Sequence, residues 1–199
     1  MSKKDELKNK ICSTPNETKY LQEYAFSEIF IGEFANDNTA YVLLDINTTD
    51  KICKIAGIET VFDEQKTFAI LNSQEIVFIP IDGKNGLLGG TSNCDFVFFN
   101  EHGFCFVELK LNATLTDEQT PLQQQRAIRK NRKKAVEQLE NTINYFDAKL
   151  SRNYSGLLLE AYIATPDIYP RENTAFQSIK IRFLEDTHIE LFESREKRY

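Results

Sequence analysis

The stretch from residue 94 to 110 most constrains what this chain can fold into. It reads Cys-Asp-Phe-Val-Phe-Phe-Asn, a polar Glu-His-Gly break, then Phe-Cys-Phe-Val-Glu-Leu-Lys. Two aromatic-rich runs around a short break ending in Gly103 form the pattern of a β-hairpin. Pairing symmetrical about Glu101 and His102 sets Asp95 directly opposite Glu108. Strand side chains alternate, so Lys110 lies on the face of Glu108, with Val97, Phe99, Phe104 and Phe106. Cys94, Phe96, Phe98, Cys105, Val107 and Leu109 take the other face. A hairpin apolar on both faces belongs in the middle of a sheet covered on both sides.

Two carboxylates facing each other across such strands repel, and half-burying them adds a desolvation penalty. A cation between Asp95 and Glu108 removes both problems. Oxygen ligands at this distance suit Mg²⁺ or Mn²⁺, and a lysine two residues on would bind a phosphate or position a water. The alternative is structural: one carboxylate tips into solvent at the strand end, and Lys110 neutralises the other.

The length of 199 residues is that of about one domain, and residues 1–199 are read as one. With 41% hydrophobic residues, including fifteen Phe and eight Tyr, the composition excludes a disordered chain. A net charge of −6 argues against a protein that coats nucleic acid, although an enzyme needs only a local basic patch. Cys12, Cys53, Cys94 and Cys105 form no Cys-x-x-Cys pair and lack a nearby histidine, so no zinc site is expected. Scattered thiols fit a reducing compartment. The first residues are charged, and no apolar run reaches the length of a membrane span, so a cytoplasmic protein without a membrane partner is expected. His102 and His188 read as surface residues.

Along the chain, residues 1–16 read as a loose arm or short helix. In residues 17–34, Leu21, Tyr24, Ala25, Ile29 and Phe30 recur at helical spacing. Strands are expected over 40–46, 67–71 and 75–81, the last ended by Pro80 or placed near an edge by it. Residues 82–93 hold Gly83, Gly86, Gly89 and Gly90, half of all eight glycines. This loop is either a flap ordered by substrate or an ordinary connection. A polar connection then leads to a long helix ending near Leu150. Its apolar stripe is Ile128, Ala135, Val136, Leu139, Ile143, Phe146 and Leu150, and Lys134, Gln138, Asn141 and Tyr145 form a polar ridge beside it. Residues 154–165 read as a buried strand completing a crossover beside the hairpin. Residues 179–184 and 188–192 read as two further short strands.

Arg126, Arg129, Lys130, Arg132, Lys133 and Lys134 place six cations in nine residues of that helix. Most of them project away from the apolar stripe, where they would grip phosphates or, alternatively, form a solubilising face paired with Glu137 and Glu140. Arg132 points along the apolar seam, to snorkel or to reach the site.

Asp95, the thirteen-residue step to Glu108, and the triplet Glu108-Leu109-Lys110 resemble the core of the PD-(D/E)XK nuclease superfamily, over residues 75–165. Cys94 stands where the name-giving proline would be. The resemblance implies a restriction-endonuclease-like α/β/α sandwich with a mixed central sheet. It implies that Asp95, Glu108 and the Leu109 carbonyl bind Mg²⁺ or Mn²⁺, and that Lys110 orients or deprotonates the attacking water. An N-terminal helix in that superfamily often adds a glutamate, for which Glu28 is the candidate. A glutamine on the long helix often holds the water or the glutamate, a role that falls to Gln138. Some branches add a tyrosine four residues later; here Tyr145 lies seven on. The function implied is metal-dependent hydrolysis of nucleic acid, DNA ahead of RNA, by in-line water attack. The alternative is a non-catalytic nucleic-acid-binding or protein-interaction module on the same fold. The sequence leaves the oligomeric state open, a homodimer included.

Overall fold

The computed structural model describes residues 1–90, 92–112, 120–154, 156–169 and 174–199. In chain order, the first part contains α1 (Lys3–Ile11), α2 (Pro15–Thr18), β1 (Gln22–Tyr24), β2 (Glu28–Phe34), β3 (Thr39–Val42), β4 (Leu44–Asn47), β5 (Ile52–Ile55) and β6 (Ile58–Val61). There follow β7 (Phe68–Leu71), β8 (Ile76–Pro80), β9 (Phe96–Phe99), β10 (Gly103–Leu109), α3 (Pro121–Leu150), β11 (Leu158–Ala164), α4 (Thr174–Thr187), β12 (Glu190–Glu193) and β13 (Glu196–Arg198).

Every residue of β8, β9 and β10 is buried, as apolar runs without polar alternation require. They lie in a six-stranded sheet of order β1-β8-β9-β10-β11-β12. Pairing is antiparallel from β1 to β10 and parallel from β10 to β12, so the sheet is mixed and the protein is of the mixed α/β class. Phe99 pairs with Phe104 and Phe96 with Val107, which centres the turn on Glu101 and His102 as the spacing predicts. Asn100 Oδ1 closes that turn by accepting from the His102 and Gly103 backbone N–H groups at 2.8 and 3.0 Å. The β10–α3–β11 crossover is also present, and Lys110 N–H extends the β10–β11 ladder to Ala164 O at 2.7 Å.

Helices α1, α3 and α4 gather on one face of this sheet. Val97, Phe99, Phe104 and Phe106 pack there against Leu7 and Ile11 of α1, the α3 stripe, and Phe176 and Phe183 of α4. On the other face, Phe96, Phe98, Cys105, Val107 and Leu109 meet Ile29 and Ile31 of β2 and Phe68 and Ile70 of β7. Cys94 joins the helical side, against the strict alternation expected, because it precedes the first paired residue and its N–H donates to Thr142 Oγ1 at 2.8 Å. The second cover is thus a four-stranded sheet, β13-β7-β2-β3, and not the second helical layer of an α/β/α sandwich.

The reason lies in residues 17–34, which form α2, β1 and β2 where helical spacing pointed to one helix. Ile29 and Ile31 face the central sheet, while Phe30 packs edge-on against Phe62 on the opposite side. Pairing with β7 and β3 overrides the local periodicity. The expected strand over 40–46 is split into β3 and β4, and 179–184 lies inside α4. There Phe176 and Phe183, seven residues or two turns apart, both reach the core. The strand expected over 188–192 is β12, and the short helix expected near the N-terminus is α1.

α3 starts on a capping box: Gln123 N–H donates to Thr120 Oγ1, and the Gln123 side chain accepts from Thr120 N–H at 2.8 Å. The connection before it falls at 113–119, outside the described residues. Arg132 neither snorkels nor reaches the site. At 3% exposure, it donates from Nε and Nη2 to the two Glu193 oxygens at 2.9 and 2.7 Å, which ties α3 to β12. The Phe176 ring lies 4.6 Å from its guanidinium carbon. Among the described residues, no helix is long and apolar enough to cross a membrane.

Candidate active site at the end of the central hairpin

The regular β9–β10 ladder ends at Phe96 and Val107, and the next bond slips by one residue, Asp95 N–H donating to Val107 O at 3.1 Å. The direct Asp95–Glu108 pairing expected from the spacing is therefore not part of the ladder, although both residues line one cleft at this end of the hairpin. The alternation that sends Phe104 and Phe106 to the α3 side sends Glu108 there too. Both carboxylates are buried, with Glu108 1% and Asp95 8% exposed. Asp95 Oδ2 accepts from Leu109 N–H at 2.5 Å. Lys110 Nζ pairs with Glu108 Oε1 and donates to Gln138 Oε1 at 2.9 Å. The amide of Gln138 in turn donates from Nε2 to Asn93 O at 2.8 Å, so one α3 residue steadies both the lysine and the segment before Asp95.

Burial pushes the Asp95 carboxyl up to about 7, opposed by the Leu109 N–H and the Lys110 charge. Burial also raises Glu108 well above the usual carboxylate range, and the Asp95 charge raises it further. Glu108 Oε2 has no hydrogen-bond partner among the described residues. A buried oxygen left unsatisfied at the floor of a cleft is expensive and marks a place where a cation or a proton is due.

That cleft encloses about 530 Å³ and is lined by Asp95, Glu108, Leu109, Lys110 and Gln138, with Glu33, Asp37, Asp82 and Lys134 around them. Asp82 is buried, raised by its burial, and its Oδ1 accepts from Gly83 N–H at 2.6 Å. Five residues singled out in the sequence therefore meet at one point, and a sixth, Lys134, stands on the rim. Glu28 does not join them. It is an exposed strand residue of β2, and the glutamate that β2 brings to the cleft is Glu33. Tyr145 packs against the helical core beside Phe146 and is absent from the lining. Arg126, Arg129, Lys130 and Lys133 are exposed on α3 outside the cleft, and Lys133 pairs with Glu137 at 3.6 Å. His102 and His188 are exposed, as expected.

Glu33, Asp82 and Thr142 escaped the sequence reading. Asp82 precedes the glycine-rich stretch and could have been found as the last polar residue after a buried strand. Nothing local marks Glu33. Thr142 Oγ1 accepts from Cys94 N–H and donates to Gln138 O at 3.1 Å, which fixes the strand start to α3. Thr142→Val keeps the shape but strands the buried Cys94 N–H. It is expected to lower unfolding free energy by about 1–2 kcal/mol in a denaturant titration.

The donor set fits a hard divalent cation: two buried carboxylates lining one cleft, one Glu108 oxygen unpartnered, and Leu109 in the same lining. Among the described residues, no three His, Cys, Asp or Glu side chains already stand as a complete ligand group. Waters or a substrate phosphate would have to complete the shell, the usual habit of Mg²⁺. No protein-family model, curated protein or solved structure matches this chain.

Proposed function

We propose that this protein is a metal-dependent phosphodiesterase that hydrolyses nucleic acid, DNA in preference to RNA, on a restriction-endonuclease-like core formed by β8, β9, β10, α3 and β11. The observation that carries the reading is the meeting of Asp95, Glu108 and Lys110 in one cleft, with a buried Glu108 oxygen left without a partner. Asp95, Glu108 and the Leu109 carbonyl would hold Mg²⁺ or Mn²⁺. A bound divalent ion would supply charge neutralisation at the phosphoryl oxygens and at the attacking water. Lys110, released from Glu108, orients or deprotonates that water and faces the charge that builds on the phosphate. Gln138 keeps Lys110 and the Asn93 backbone in register. The cleavage assay to run covers single- and double-stranded DNA and RNA with Mg²⁺, Mn²⁺ and EDTA. Cleavage that requires the metal is expected, and none on any substrate would leave a binding module.

One observation favours that second reading, a non-catalytic nucleic-acid-binding or interaction module: Lys110 already supplies Glu108 with a counter-charge. Under either nucleic-acid reading, catalytic or not, the α3 cations serve as a phosphate-gripping surface. Lys130, Lys133 and Lys134 replaced together by Gln should leave folding intact, since all three are exposed. If each holds a phosphate, the slope of log affinity against log salt falls by roughly 2–3. A slope equal to wild type would make the run a solvated face only.

A further inference from the structure

Resting on the phosphodiesterase reading, we propose that the cleft accepts one strand at a time, a single strand or a frayed end, and turns away uninterrupted duplex. Three features carry this.

The first is depth. The Asp95 and Glu108 carboxylates are 8% and 1% exposed, and the Lys110 side chain is only 15% exposed. A cleft of about 530 Å³ is of the size that encloses one small organic molecule, roughly 300–1,000 Å³. A phosphodiester on a flexible strand can be lowered into such a recess. One on the convex surface of a duplex is held back by its neighbours and its complement.

The second is rigidity. The wall facing α3 is built from the β2–β3 turn and the loop after β8, and these are locked together. Asn85 Nδ2 donates to Asp37 Oδ2 at 2.7 Å and to the Tyr41 hydroxyl at 3.0 Å. Asn85 N–H donates to Thr39 Oγ1 at 3.1 Å, and Lys84 N–H to Asp37 O at 2.9 Å. Gly83 and Gly86 sit so close to backbone that a Cβ would lie 2.3 Å from Asn38 O and 2.2 Å from Asp82 O. This part of the glycine-rich loop is a docked wall and does not swing as a flap.

The third is charge asymmetry. The α3 side presents Lys134, with Lys130 and Lys133 exposed beyond it. The opposite wall presents Glu33 and Asp37, with Asp82 below them, against the single cation Lys84 among its lining residues. A duplex laid across the cleft brings a phosphate backbone to each wall, and the acidic wall repels the second one. A single strand needs only the basic side.

The test is single-turnover cleavage, in Mg²⁺, of a labelled single-stranded DNA oligonucleotide and the blunt duplex of the same sequence. The single strand should be cut faster by about tenfold or more, the equivalent of one like-charge contact at a partly buried rim. Asn85→Ala, which unlocks the wall without touching the cleft floor, should raise the duplex-to-single-strand rate ratio several-fold. Should that variant fail to fold, Glu33→Gln, which removes one repelling charge, should raise the same ratio. Equal wild-type rates on the two substrates, or an unchanged ratio in the folded variants, would overturn the inference and leave the phosphodiesterase reading standing. No cleavage of either substrate overturns that reading, and this inference with it.

Discussion

Lys110→Ala is expected to lower cleavage by about a hundredfold or more, the order of losing one preorganised electrostatic group at the reacting centre. Lys110 is the only lysine that touches the carboxylate pair among the described contacts, and it is aimed by Gln138. Gln138→Ala acts one bond further out and should cost less, about 10–100-fold. The two variants must be compared in Mg²⁺. Without a cation, Lys110→Ala leaves Glu108 buried with neither counter-charge nor metal, and its melting temperature should fall at neutral pH and recover when Mg²⁺ is added. Metal affinity should hold or tighten, because a positive charge has left the site. Full activity in Lys110→Ala, on a substrate that wild type cuts, contradicts the role given to the lysine.

The second large effect concerns stability against pH. Asp95 and Glu108 have their folded-state proton affinities raised by burial, Asp95 to about 7. The folded protein then binds more protons than the unfolded chain between the ordinary carboxylate range and about pH 7, so stability falls as pH rises through that window. The surface carboxylates held low by lysines, such as Glu17 beside Lys149 at about 2, act in the opposite sense. Their effect is complete at lower pH. In EDTA, the melting temperature should therefore be higher near pH 5 than near pH 8. At pH 8, Mg²⁺ at a hundred times its dissociation constant should add about 2.7 kcal/mol, on the order of 5–10 °C for a chain of this size. Asp95→Asn should flatten the pH profile, lose most of the Mg²⁺ response and melt higher than wild type in EDTA at pH 8. A wild-type profile that rises between pH 5 and 8 in EDTA would mean that other groups dominate.

The part of the fold legible in the sequence is the part whose side chains are dictated locally. The hairpin register followed from the alternation around Glu101 and His102, and the α3 stripe from 3.6-residue spacing under a strong cap. From those two elements alone, Asp95, Glu108, Lys110 and Gln138 come within reach of each other. Residues 17–34 were illegible because Leu21, Tyr24, Ile29 and Phe30 fall at helical spacing, and only long-range pairing, of β1 with β8 and of β2 with β3 and β7, overrides it. Ile179 to Leu184 misled for the converse reason, since an alternating Ile-Lys-Ile-Arg-Phe pattern was carried into a helix by Phe176 and Phe183. Glu33 and Asp82 reach the cleft from segments placed by such distant pairing, which is why Glu28, on the wrong turn of an expected helix, stood in for Glu33. The second cover of the sheet, strands in place of helices, has the same origin.

The central claim is that the cross-strand carboxylate pair is a divalent-cation site, and Mn²⁺ titration of the metal-free protein tests it most directly. Calorimetry, or the loss of the free Mn²⁺ electron-paramagnetic-resonance signal, counts bound ions without any assumption about substrate. Wild type should bind at least one Mn²⁺ with displacement by Mg²⁺, and Asp95→Asn should bind at least tenfold more weakly while remaining folded. Equal Mn²⁺ binding by wild type and Asp95→Asn, or none by wild type, would contradict the assignment of Asp95 and Glu108.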